Sequence, residues 1–367
     1  MRKQHLFGAS LLALLGAAQA ADLVVHEWGT ITTIHAADGT AAGELNRIDE
    51  ADVLPKFVHR YEPETTRYDV KRFTGKRPNV PGRPDVNMRL ETPVIYFHPP
   101  PNQKYTAPID ITVRFRGGVL NEFYPDAGAS VGVDTDRVSN KLRAGILAEW
   151  NGDVLNNYVI GTLKWKGLRL HDTVVAPLTD SEVWLAPREV NSVSVFNPEA
   201  GEGEQYLFYR GVAHLDALLK TKLTRGQLQL ATPDNLAWLE SAQAIIPNIW
   251  FADVRADGSI AFRTQPAVKL KQEGAGKELA RLKRFSAADY TDAAPLRGSI
   301  KKALIAQGLF ADEAEAMLNT WKASYFQKPG LRVFYIVPRE WTDYFLPLEL
   351  SVPARVTRVI VGRIDLK

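Results

Sequence analysis

Three carboxylates lie inside segments that otherwise read as apolar strands: Glu27 in VVHEWGTIT, Glu91 in MRLETPVIYFHP and Glu122 in VLNEFY. A carboxylate among aliphatic and aromatic neighbours must be paired or must change its ionisation, because burying it alone costs several kcal/mol. Two such acids held about 5 to 9 Å apart are what glycoside hydrolysis requires. Trp28, Tyr96 and Tyr124 are the adjoining rings that would stack on a sugar, and Arg89 and Arg210 are the natural counter-ions. Glu27, Glu91, Glu122 and Arg210 are therefore candidate catalytic groups, with Trp28, Tyr96, Tyr124 and Arg89 as candidate ligand contacts. At each position the alternative is an Arg–Glu pair between strands that only holds the fold, and residue type favours it.

Metal chemistry needs several ligands in one place. Beyond residue 20 the histidines are His26, His35, His59, His98, His171 and His214, and none forms an H-x-H, H-x-x-x-H or H-E-x-x-H spacing. Any metal site must then be assembled from separate strands, with His26, Glu27 and His98 as the set to watch. A hydrogen-bonded structural histidine is the commoner role at each position. No cofactor is expected from the sequence, and a divalent metal is left open.

Two short motifs lack their required context. Gly128-Ala129-Ser130-Val131-Gly132 matches G-x-S-x-G, but a nucleophile elbow needs a strand before the serine and a helix after it. Pro125-Asp126 precede this stretch and Val133-Asp134-Thr135-Asp136 follow it. Ser299-Ile300-Lys301-Lys302 matches S-x-x-K, yet no S-D-N or K-T-G accompanies it, so Ser299 reads as a helix cap.

The elements that must position these residues are mostly strands. Asp22 to His35 reads as a first strand with a bulge at Gly29, followed by a turn at Asp38-Gly39. Met88 to Pro99 is the clearest buried strand, and Pro93 requires it to begin there, run along an edge or bulge. Simple alternation puts Glu91 on the face of Ile95 and Phe97, opposite Tyr96 and His98. Residues 42–87 read as a long Pro-containing loop, and 125–157 as another. A hairpin is expected over 109–124, and a second over 249–263. Short strands are expected at 158–165, 183–185, 192–196 and 206–209, with a turn at 202–204 and a short helix over 213–220. Thr232-Pro233-Asp234 reads as the start of a further helix. Residues 273–327 turn rich in Lys, Ala, Glu and Leu and predict helices. In the second of these Asp312 caps, Glu315 completes the capping box, and Ala314, Met317, Leu318, Trp321 and Tyr325 form the apolar stripe. Strands at 331–337 and 355–366 close the chain. Between them Glu340-Trp341-Thr342-Asp343 reads as a turn with an aromatic plug or as a cleft rim. This order predicts a mainly β fold, a sandwich of antiparallel or mixed sheets with a helical insert near the C-terminus.

Composition narrows the setting. Arg2-Lys3, the apolar run Leu6 to Leu15 and Ala18-Gln19-Ala20 form a secretory signal peptide over residues 1–20, leaving one domain over 21–367. No cysteine is present, which excludes disulfides, thiolate metal sites and cysteine nucleophiles, and also a lipoprotein anchor. Removing the signal takes away two basic and no acidic residues, leaving 43 basic against 42 acidic groups. Nothing in that balance points to nucleic acid, and no further segment reads as a membrane helix.

HEWGTIT at 26–32, RLETPVIYFH at 89–98, FYRG at 208–211 and LRVFYIVPREWTD at 331–343 resemble an uncharacterised family of exported bacterial proteins. The resemblance spans most of the mature chain. It implies one continuous unit and carries no activity with it.

The sequence therefore predicts a periplasmic or secreted β-rich protein that binds a small molecule, glycan or envelope component. The alternative is an exported hydrolase acting on a glycan or other polymer through its strand carboxylates. Mass spectrometry of protein recovered from outside the cytoplasm should give a chain beginning at Ala21. A chain retaining residues 1–20 would refute export by this signal.

Overall fold

The computed structural model describes residues 23–42, 54–61, 86–101, 104–137, 158–225, 227–234, 236, 238–239, 243–271 and 276–367. β-Branched and aromatic runs, which suit a pleated surface, build a nine-stranded sheet. Its spatial order is Ile260–Gln265, Ile249–Val254, Gly330–Ile336, Arg355–Leu366, Val24–His35, Met88–His98, Leu207–Ala213, Gly118–Tyr124 and His59–Arg60. The first and last long strands lie side by side and parallel, from Val24 opposite Arg355 to His35 opposite Leu366. Met88–His98 pairs antiparallel on the other side of the first strand.

Both faces of this sheet are covered. On one side, Val25, Ile31, Ile95, Phe97 and Tyr335 share a core with Ile111, Val113, Leu163 and Trp165. Those last four belong to a second sheet that contains Ile109–Arg116, Val159–His171 and Ser194–Asn197. The mainly β, sandwich-like architecture with C-terminal helices is therefore present. On the other side, Trp28, Val94, Tyr96, Phe334 and Val361 pack against Leu296, Ile300, Met317, Trp321 and Tyr325. These come from the helices Ala294–Ala306 and Ala311–Thr320, from Trp321 at the C-cap of the second, and from the π-turn Ala323–Gln327. The expected stripe of the second helix is thus buried against the sheet.

A paired irregularity sets which side chain faces which layer. Between the first strand and Met88–His98 the register jumps from Trp28 opposite Val94 to Thr30 opposite Glu91. A Cβ on Gly29 would come within 2.9 Å of Pro93 Cα, so the close approach needs glycine. Thr92 carries a φ of 45°, rare for a β-branched residue. The jump exchanges faces: Leu90 and Ile95 enter one core, while Val94 and Tyr96 enter the other. Glu91 consequently shares a side with Tyr96 and His98, where unbroken alternation would have placed it with Ile95.

Several local expectations change. Ile109–Arg116 and Gly118–Tyr124 do not pair as a hairpin, since the chain passes from one sheet to the other at Gly117. Gly128–Val133 is a strand on Val159–His171, which removes any nucleophile elbow. Glu182–Leu185 is helical, Glu202–Glu204 is a strand, and Ala213 to Leu219 contains no helix. The described residues of 232–239 form no helix. Ser299 lies inside its helix, where its hydroxyl accepts the Trp250 indole N–H at 2.9 Å. Arg339–Phe345 is a short helix with Trp341 buried, which favours the plug. Of the two long loops, 43–53, 62–85 and 138–157 lie outside the described residues.

At the end of the first strand His35 is 3% exposed and holds Thr221 Oγ1 through Nδ1 at 2.7 Å. Burial pushes its imidazole from 6.5 down to about 4. Between those values the unfolded chain takes up a proton that the folded chain refuses. The stabilisation is therefore complete above pH 6.5 and falls as pH drops towards 4. Unfolding free energies at pH 7 and pH 4.5 should show roughly 2–3 kcal/mol more acid loss in the wild type than in His35→Gln. An equal loss in the two proteins would refute this assignment.

Candidate metal centre

The three strand acids do not meet. Glu27 points into the sandwich core, fully buried, where the Tyr209 hydroxyl donates to Oε1 at 2.5 Å and Arg358 Nε to Oε2 at 2.5 Å. Burial, together with the Glu27 charge, pushes the Tyr209 phenol well up, so it stays a neutral donor. Burial opposes the Arg358 charge, but Glu27 holds the guanidinium above its ordinary range. Arg358 also donates to Asp343 at 3.1 Å.

Glu91 lies on the helical side of the sheet. Thr32 Oγ1 donates to it at 2.8 Å, with Arg89 Nη1 at 3.4 Å and Arg363 Nη2 at 3.6 Å. Burial works to raise its carboxyl, yet Arg363 and Arg89 hold it below the usual range. Glu122 stands opposite Arg210 across a strand pair and 3.4 Å from Arg60 Nε. Arg210 in turn donates to Thr92 Oγ1 at 3.1 and 3.2 Å, bracing that left-handed residue. Glu91 and Glu122 thus share a side with Arg89 and Arg210, and the sheet itself separates them from Glu27. Trp28 and Tyr96 are fully buried and Tyr124 nearly so, which makes them core rather than a sugar platform.

The two histidines do meet. His26 stands opposite Tyr96, and His98 lies two residues further along that strand. Diagonal neighbours on one face are within side-chain reach, and the two imidazole rings lie 5.3 Å apart. Glu313, in the first turn of Ala311–Thr320, completes the cluster. Its Oε2 accepts from His26 Nδ1 at 2.7 Å and from the Phe310 backbone N–H at 2.7 Å, and its Oε1 accepts from His98 Nε2 at 2.9 Å. The Phe310 ring covers both imidazoles, with centroids 4.6 and 4.9 Å away.

Glu313 is fully buried. Burial works to raise its carboxyl, but the bonds from His26 and His98 outweigh that and hold it at about 2. An ionised carboxylate only accepts, so each imidazole must present a protonated nitrogen to it. The three ligand atoms lie within 4.8 Å of one another. Two imidazole nitrogens and a carboxylate oxygen suit a borderline divalent ion, and three protein ligands leave a position open. Of the three residues, His98 lines a cleft of about 1100 Å³, together with Phe310, Asp312, Arg355, Lys104 and Asn191.

Glu27 could not join this set, because its neighbour His26 already occupies the opposite face. Glu313 lay hidden because the helix starts two residues earlier than Asp312 as cap implies, with Phe310 as the cap. The acid that folds back is the one three residues after Phe310, the spacing of a capping box whose first member has no polar side chain. Compared with known proteins, the chain matches no family model and no curated sequence.

The Glu27–Arg358 pair makes a separate claim on stability. Arg358→Ala leaves a buried carboxylate with only Tyr209 and should cost about 3–5 kcal/mol in denaturant unfolding. Glu27→Leu with Arg358→Met should recover most of that loss. A near-neutral Arg358→Ala would show that the pair does not bear on stability.

Proposed function

We propose that this is an exported metal-binding protein, in which His26, His98 and Glu313 hold one divalent ion of the zinc type and a ligand entering the cleft completes its coordination. The observation that carries the reading is the meeting of two imidazoles, from separate strands, with a buried carboxylate drawn from a helix more than two hundred residues away. The carboxylate held between the two imidazoles lies in a region with little water, where a divalent ion would offset its charge. Ligation through the nitrogens that face Glu313 would require each imidazole to carry its proton on the other ring nitrogen. The N-terminal signal supports export.

The same trio ties the helical layer to the sheet through hydrogen bonds. With an ion in place, the side facing the cleft would polarise a ligand oxygen or acidify a bound water. That open side also favours a second reading, a metal-assisted hydrolase of an envelope polymer, in which the ion takes the place of the paired strand acids.

Elemental analysis of protein purified without chelator tests the first reading. About one equivalent of metal is expected, and added zinc at a thousand times its Kd should stabilise the fold by about 4 kcal/mol. Glu313→Gln and His98→Ala should lose the metal while keeping the wild-type circular dichroism spectrum. Failure to take up zinc, cobalt, nickel, manganese or iron, with no thermal shift from any of them, would overturn it.

A further inference from the structure

The cleft beside His98 does not end there. A second depression of about 380 Å³ adjoins it and shares Pro99, Lys104, Asp172 and Val193 as walls. Strand register places its charges relative to the candidate ion. Arg355 stands opposite Val24, which stands opposite His98, so Arg355 lies two strand spacings, about 10 Å, to one side. On the other side Val193 bridges to Phe97, and the next residue, Ser194, stands opposite His171. That puts His171 a comparable distance away, with Arg169 two residues along the same strand.

Two acids line this groove, and neither meets an arginine. Asp312 accepts the backbone N–H groups of Asn191 and Glu313, at 2.9 and 3.0 Å. Asp172 lies 4.0 Å from Lys104. Arg169 donates to the Thr106 carbonyl, an uncharged partner. Among the described residues neither Arg169 nor Arg355 has a carboxylate partner. The groove therefore has a candidate cation at its floor and unneutralised guanidiniums on both sides of it.

We propose that this groove binds an extended polyanion, with one oxyanion group at the metal centre and further negative groups along the Arg169–His171 and Arg355 sides. The inference rests on the metal reading for its central contact, while the flanking contacts stand on the arginines. Guanidinium pairs well with phosphate and with carboxylate, and a row of like charges in a cleft concentrates an oppositely charged chain. A phosphate polymer and a uronate polymer share that chemistry.

The test uses the mature protein with and without cobalt, titrated with orthophosphate, short-chain polyphosphate, oligogalacturonate and neutral dextran oligosaccharide. The cobalt absorption spectrum reports on the ion, and anisotropy of end-labelled polymers reports on the groove. Polyphosphate or oligogalacturonate should bind about tenfold more tightly than orthophosphate, and dextran should not bind. Arg169→Gln and Arg355→Gln should each erase most of that advantage while leaving the cobalt spectrum and its orthophosphate response unchanged. The preferred polymer identifies the source of the anion. Equal affinity for the short and long anions, or arginine variants that bind like the wild type, would overturn the proposal. If the protein takes up no cobalt, the metal reading fails, and polymer anisotropy still decides whether the groove binds polyanions.

Discussion

Covering both faces of the central sheet is the constraint from which the rest follows. The middles of the first strand, the Met88–His98 strand and the last strand are buried on both sides, so the polar side chains there need protein partners. Three solutions occur within a few residues. Glu27 is met by Arg358 and Tyr209 in the sandwich core, Glu91 by Thr32 and guanidiniums on the helical side, and His26 with His98 by Glu313. The first two bring in fixed positive charge, which suits a fold-holding role. The third meets a carboxylate with imidazoles, whose ring nitrogens can ligate a metal as guanidiniums cannot, and that difference in chemistry separates the candidate site from the surrounding ion pairs.

The bulge at Gly29 and Thr92 decides how these solutions are distributed. Without it Glu91 would lie on the sandwich side with Ile95. With it, two neighbouring acids on paired strands are sent to opposite layers. Thr92 bears the backbone cost of that jump and is braced by Arg210 from the next strand. The segments HEWGTIT, RLETPVIYFH and FYRG all adjoin this irregularity, which gives their shared location a structural cause.

Much of the architecture could be read before any coordinates. Apolar periodicity marked the central strands, the stripe of the second helix and the β-rich class, because burial on a sheet or helix face imposes period 2 or 3.6 wherever it occurs. The irregularity was visible too, as a glycine in one strand and a proline in its partner, although the extra residue lies on the proline's strand and not at Gly29. What alternation could not supply was its effect on phase, which depends on both strands at once. His26 and His98 could be named, since few residue types ligate metals. Glu313 could not, because a carboxylate in a helix's first turn is common and only tertiary packing turns this one inward. The expected hairpin over 109–124 misled for a related reason: two adjacent strands with a tight turn look alike whether they pair or part into different sheets.

The parallel pairing of the first strand with the last has a kinetic corollary. Val24–His35 and Arg355–Leu366 are joined in space across more than three hundred residues of intervening chain. Contacts so distant in sequence form slowly, since loop closure must precede any reward from pairing. The central sheet has no complete middle until the final dozen residues are available. The seam at the middle of the sheet therefore closes only once Arg355–Leu366 has joined Val24–His35.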